Sequence, residues 1–214
     1  MATSNSKNAT ILALTAWSSD TRRLQRFNEL ALLTQRTALV KSLLGLTESD
    51  AFVRTEIQRV CAREGVNCRL ARGNAAGVLQ LKELRNEERY MATVLMKMLS
   101  ADNSGLLEFN EDDNSLLGHV VVDRLIYCYR RYLGGLRMSV EDAPLSFETF
   151  VGIYRAWLNS EVEFVSCGNC GSEHLSTRTS HSVRCPICQM HKHAVTTKRM
   201  TTGRVDLYQG RRSA

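Results

Sequence analysis

The chain has 214 residues, and its composition, 43% hydrophobic and 23% charged, is that of an ordinary globular protein. We recognise no export signal and no apolar run near the ~20 residues that a membrane-spanning helix needs, so we expect a cytoplasmic protein without a membrane partner. In that reducing compartment its seven cysteines are expected to be thiols or metal ligands. The net charge of +6 is uneven, because residues 184–214 hold seven basic residues and one acidic residue, whereas the preceding residues hold 21 of each sign.

The sequence predicts a mainly α fold, since it has only two prolines and many helix-forming residues. Residues 1–8 are small and polar, and we expect them to be disordered. A helical pattern covers residues 9–34, with a possible break near Ser18-Ser19-Asp20, where a cap could restart the helix. Further helical patterns cover residues 78–99, about 115–132 (capped by Asn114 or Ser115 and ended by Gly134-Gly135) and about 146–160.

Within this multi-helix domain, residues 9–160, a candidate helix-turn-helix lies at residues 37–62. A short amphipathic run ends at Gly45, and Thr47 begins a Thr-x-x-Asp helix start that is followed by a second apolar stripe. Two short helices around a glycine turn are typical of the helix-turn-helix, and equally of a plain helical hairpin. Two acidic residues, Glu48 and Asp50, would place negative charge where a recognition helix approaches phosphates, so both interpretations stay open.

Two Cys-x-x-Cys pairs near the carboxyl end contain four of the seven cysteines: Cys167, Cys170, Cys185 and Cys188. Each pair can direct two thiolates at one ion, and four thiolates complete the tetrahedral shell of a structural Zn²⁺. The spacer between the two pairs, residues 171–184, is rich in Ser and Thr, which favours a small β-hairpin over a helix. We therefore predict a four-cysteine zinc ribbon at residues 161–195 with one Zn²⁺ per chain. A redox Cys-x-x-Cys normally occurs once, near a βαβ pattern, and this sequence has no such pattern.

Basic residues after the ribbon, including the tail at residues 196–214, predict a polyanionic partner. Pairing of Lys and Arg with phosphate releases counterions and dominates affinity for DNA. We expect phosphate contacts from Lys192, Lys198, Arg199 and Arg204. Base contacts would come from the helix-turn-helix segment and the glycine-rich loop after it, at Arg54, Arg59, Arg69 and Arg72. The alternative for the tail is a solvated end that binds nothing.

Three segments of the carboxy-terminal half have a distinctive order and spacing. They are LIYCYRRYL at 125–133, PLSFETFVGIYRAWL at 144–158, and the two cysteine pairs followed by basic residues. Together they resemble the FlhC family of bacterial transcriptional activator subunits, clearly over residues 120–195 and more weakly at 37–62. The resemblance implies a nucleoid-associated activator that binds double-stranded promoter DNA in a hetero-oligomer with an FlhD-like protein. Its targets would be flagellar operons or the transfer genes of conjugative elements, and the family's four zinc ligands fall on the four cysteines above.

The apolar residues of the early helices exceed what a thin helical layer can bury alone, so we expect them to contribute to the partner interface: Trp17, Phe27, Leu30 and Leu33.

Two other functional classes stay open. The chain could be a helical scaffold whose zinc ribbon binds protein, such as RNA polymerase or a regulator, without direct DNA contact. It could also be a nucleic-acid enzyme, but the sequence has no evident acidic cluster, nucleophile–base pair or phosphate loop. We therefore expect no catalytic residue and no small-molecule substrate.

Overall fold

A computed structural model of the chain describes residues 20–68, 70, 81–101, 118–178 and 184–192. The described residues are mainly helical, and the chain divides into two compact units. The first unit comprises residues 1–79 and 95–152, and the second comprises residues 80–94 and 153–214. None of the helices in the described ranges is both long enough and apolar enough to cross a membrane.

Three helices open the first unit and pack on one another in pairs: α1 (Thr21–Thr34), α2 (Thr37–Leu44) and α3 (Asp50–Arg63). The cap expected near residues 18–20 is Asp20, whose Oδ1 accepts the Arg23 N–H at 3.0 Å. Gly45 ends α2 in the left-handed conformation, φ 59°, which glycine adopts without strain. The helix start predicted at Thr47 is wrong: Ser49 caps α3, its hydroxyl accepting the Phe52 N–H at 3.3 Å.

The inward faces of these helices form the core of the first unit. Leu30, Val40, Leu43, Val53 and Ile57 are completely buried. Phe27 and Leu33 are also buried within the chain, so the expectation that they and Leu30 form a partner interface is wrong; Trp17 lies outside the described ranges. The apolar face of α1 is covered by α2 and α3 of the same chain. The sequence pattern of α1 alone does not show these neighbours.

Three further helices follow in the described ranges: α4 (Asn86–Ala101), α5 (His119–Leu136) and α6 (Phe147–Leu158). The predicted start of α4 at residue 78 is wrong, because residues 81–83 form a 3₁₀ turn and the helix begins at Asn86. Glu88 fixes that start, its carboxylate accepting the Arg85 N–H at 2.7 Å as in a capping box.

The predicted stop of α5 at its two glycines is also wrong. Gly134 and Gly135 lie inside the helix, which ends at Leu136 and is capped by Arg137 with φ 54°. Buried Tyr132 and Leu133 hold this last turn against the core, and that packing outweighs the low helix propensity of glycine. Two ion pairs join α5 to α1: Arg26 to Asp123, at 2.6 and 2.8 Å, and Arg130 to Glu29, at 2.9 and 2.7 Å.

The second unit contains a two-stranded antiparallel sheet, β1 (Val162–Ser166) and β2 (Glu173–Thr177), with Phe164 opposite Leu175. The first residues of α4 belong to the same unit, where the Thr93 hydroxyl accepts the buried Leu175 N–H at 3.2 Å. Residues 186–192 form a short helix. In the described part of the spacer the predicted hairpin is wrong, because β2 pairs with β1, a strand that precedes the first cysteine pair.

Leu30→Ala is expected to lower the unfolding free energy of the isolated chain by roughly 2–5 kcal/mol, because it opens a cavity among completely buried residues. Leu24→Ala on the same helix is the matched control, since Leu24 is 37% exposed, and it should cost less than about 0.5 kcal/mol. Urea unfolding followed by circular dichroism measures both values. Equal losses for the two variants would contradict the assigned inner face of α1.

Candidate metal centre

The four predicted ligands come together at one point of the second unit. Cys167 and Cys170 lie in the turn between β1 and β2, and Cys185 and Cys188 lie at the start of helix 186–192. The four Sγ atoms are all within 4.8 Å of one another, with 3.8 Å between Cys167 and Cys188 and 3.7 Å between Cys170 and Cys185. A tetrahedral ion bound at about 2.3 Å by each sulfur would separate the sulfurs by about 3.8 Å. The cluster therefore has the size of a site for one metal ion.

Backbone hydrogen bonds shape the first cysteine turn. The Gly171 N–H donates to the Cys167 carbonyl at 2.8 Å, and the Cys167 N–H donates to the Ser172 carbonyl at 2.9 Å. Gly171 has a φ of 71°, in the left-handed region where a residue with a Cβ is strained. This glycine lets the chain reverse between the two strands while both thiols of the pair point to the same side.

The second cysteine turn is the first turn of a helix. Pro186 is its first helical residue, a position where the missing N–H is not needed and the fixed φ suits the helix. The Gln189 N–H donates to the Cys185 carbonyl at 3.1 Å. Cys185 and Cys188 are three residues apart and so lie on one face of this turn.

The environments of the four thiols differ. Hydrogen bonds from the hydroxyl and backbone N–H of Ser172 lower the pKa of Cys170 to about 6. The backbone N–H groups of Cys170 and Asn169 lower the pKa of Cys167. Burial instead raises the pKa of Cys185 to about 11. Cys170 is thus prepared to bind as a thiolate near neutral pH, whereas Cys185 needs the charge of a metal ion to lose its proton.

Other side chains surround the cluster. The Asn169 amide donates to the Cys188 sulfur at 3.3 Å, and this residue and Ser172 could be found from the sequence because they lie within or beside the first pair. Buried His174 lies on β2 and is not among the four clustered ligands. Buried Arg89 on α4, whose pKa is lowered by burial, belongs to the same unit and was not singled out from the sequence.

The predicted DNA-binding residues are only partly described. Arg54 and Arg59 are exposed on α3 in the first unit, where Arg59 pairs with Glu56. Lys192 is exposed at the end of helix 186–192 in the second unit. The other predicted residues lie outside the described ranges and stay predictions: Arg69, Arg72, Lys198, Arg199 and Arg204.

Comparison of the sequence with models of protein families and with curated proteins finds no match. The comparisons therefore assign the chain to no family, and the resemblance to the FlhC family stays a prediction.

The full chain, purified without chelator, is expected to contain one Zn²⁺, and Cys170→Ser should remove most of it, because three thiolates leave the tetrahedral shell incomplete. Cys68→Ser is the matched control, since Cys68 is partly exposed and lies in the first unit. Elemental analysis by plasma mass spectrometry gives the metal-to-protein ratio. Metal-free wild-type protein, or equal metal content in the two variants, would contradict the assignment.

Proposed function

We propose that the chain is a DNA-binding transcriptional activator, an FlhC-like subunit that assembles with an FlhD-like protein on promoters of flagellar or conjugative-transfer operons. In this proposal the four-cysteine cluster is the Zn²⁺ site of a structural ribbon, and α2 with α3 is a helix-turn-helix. The site supports a structural role for the metal, because four thiolates leave no coordination position for a substrate or water.

The outer face of α3 is the observation that carries the proposal. Val53 and Ile57 are buried on the inner face of this helix. The outer face exposes Arg54, Gln58 and Arg59, whose side chains can contact base edges and phosphates. This arrangement, a helix held by two others with arginine and amide side chains turned outward, is the one that helix-turn-helix proteins insert into the major groove.

The acidic residues at the start of α3 repel DNA phosphates less than the sequence alone implies. Asp50 pairs with Lys41 of α2 at 2.6 Å, and this hydrogen bond lowers the pKa of the carboxyl. The pair is neutral as a unit, and Glu48 is half-buried. Five residues separate α2 from α3, more than the three to four of the common helix-turn-helix, so the proposal relies on the surface of α3 rather than on the motif.

An exposed apolar surface on α5 supports a protein partner. Val120 and Tyr127 are 60% and 58% exposed. They are seven residues apart and therefore lie on the same face of the helix, two turns from each other. Tyr127 also lines a groove of about 490 Å³ whose walls are α1 and α5. Large apolar side chains left in water on one face are typical of interaction sites.

The test uses the chain co-expressed with a small helical partner from the same locus, and DNA from upstream of its own gene. Arg54→Ala and Arg59→Ala should each weaken binding to that DNA by about 1–3 kcal/mol, roughly 5- to 150-fold, and change binding to random DNA much less, because base contacts carry specificity. Arg63→Ala is the matched control, since Arg63 is exposed at the carboxyl end of the same helix and pairs with Glu64. Fluorescence anisotropy at fixed salt measures the affinities.

The outcomes separate the two leading functions. Equal weakening on both DNAs would mean that α3 contacts phosphates and does not select sequence. If neither the α3 variants nor the wild-type complex distinguishes the upstream DNA from random DNA, the activator proposal fails, and the protein-binding scaffold becomes the better account.

A further inference from the structure

One side chain crosses from the first cysteine turn to the second. Asn169 lies between the two cysteines of the first pair. Its amide nitrogen donates to the Sγ of Cys188 at 3.3 Å, and this sulfur lies 19 residues further along the chain, on helix 186–192. The two turns are therefore joined by a side-chain hydrogen bond as well as by the approach of their sulfur atoms.

The backbone of the turn does not explain why this position holds an asparagine. Asparagine is common in turns because it tolerates the left-handed conformation and because its side chain bonds to nearby backbone groups. Three non-glycine residues of the described ranges have a positive φ: Gln35, Arg137 and Ser160. Asn169 is not among them, and the left-handed position of its turn belongs to Gly171. Its amide is directed at a sulfur of the other pair, so the contact with Cys188 is what the side chain contributes.

Asn169 supplies a donor to each sulfur of one edge of the cluster. The Sγ atoms of Cys167 and Cys188 are 3.8 Å apart, and this edge joins the first pair to the second. The backbone N–H of Asn169 donates to the Cys167 sulfur, while the side-chain amide donates to the Cys188 sulfur. A single residue therefore contacts ligands from both pairs.

We propose that Asn169 is a positioning residue for the metal centre, whose side-chain amide holds Cys188 against the first turn and takes up part of the charge of its metal-bound sulfur. Four thiolates with one divalent cation carry a net charge of −2, and hydrogen bonds to charged acceptors are the strong ones. Partners outside the ligand shell orient the ligands and tune the metal. The inference rests on the metal site of the proposed function and does not depend on DNA binding.

The experiment titrates the metal-free full chain with Co²⁺, which gives a visible spectrum in tetrahedral sulfur sites and binds more weakly than Zn²⁺. Asn169→Leu keeps the approximate size and removes the donor. It should weaken Co²⁺ binding about 10-fold, the lower end of the range for residues that support ligands from outside the shell, because Asn169 is exposed. Asn169→Asp should weaken it further, since a carboxylate of the same size repels the thiolate.

Asn159→Leu is the matched control and should leave Co²⁺ binding unchanged. Asn159 is an exposed asparagine of the same unit, and its amide donates to the Glu161 carboxylate at 3.4 Å rather than to a sulfur.

The spectrum separates charge donation from packing. The sulfur-to-cobalt charge-transfer band of Asn169→Leu should move to lower energy than in the wild type, because a sulfur that has lost its hydrogen-bond donor gives up electrons more easily. The d–d bands should keep their intensity, since all four sulfur ligands remain. A residue that only packed against the turn would change the affinity and leave the charge-transfer band in place.

Wild-type affinity in both the leucine and the aspartate variant, or a loss of affinity with an unmoved charge-transfer band, would overturn the proposal. Asn169→Ala repeats the measurement if the leucine variant is insoluble. A wild-type chain that binds neither Co²⁺ nor Zn²⁺ would refute the metal centre, and the inference with it. A complex that does not select its upstream DNA would instead refute the proposed function and leave the result on Asn169 unchanged.

Discussion

Convergence of four thiols is the constraint on which the second unit depends. A two-stranded sheet is marginally stable alone, and here a tight turn joins its strands and a short helix follows. Sulfur–sulfur separations of 3.7 and 3.8 Å leave room for one ion, and without an ion thiolates so close would repel one another. A bound metal would replace that repulsion by attraction and join the turn to the helix, so that binding free energy becomes folding free energy.

The thiols of the two cysteine pairs differ in how easily they lose their protons. Hydrogen bonds around the first pair favour thiolates, whereas burial keeps Cys185 protonated until a cation arrives. Binding must then release a proton, so the affinity for metal falls as the pH falls.

Sequence reasoning found what local spacing determines and missed what packing determines. The four ligands follow from two Cys-x-x-Cys pairs, and the Asp20 cap and the paired helices at 37–62 follow from short motifs. Gly134 and Gly135 were misjudged because burial of neighbouring side chains, which no local pattern reports, decides whether α5 continues. Leu30 was assigned to a partner interface because the residues that bury it lie on other helices of the chain, which the pattern of α1 alone does not reveal.

The proposed function joins a structural metal centre to an exposed arginine face on α3, and the metal centre is its most directly measurable part. X-ray absorption at the zinc edge of the purified full chain reports the type, number and distance of the ligand atoms. We predict four sulfur atoms at about 2.3 Å and no nitrogen or oxygen in the first shell. A shell with fewer than four sulfurs, or one completed by a histidine nitrogen or by water, would contradict the account.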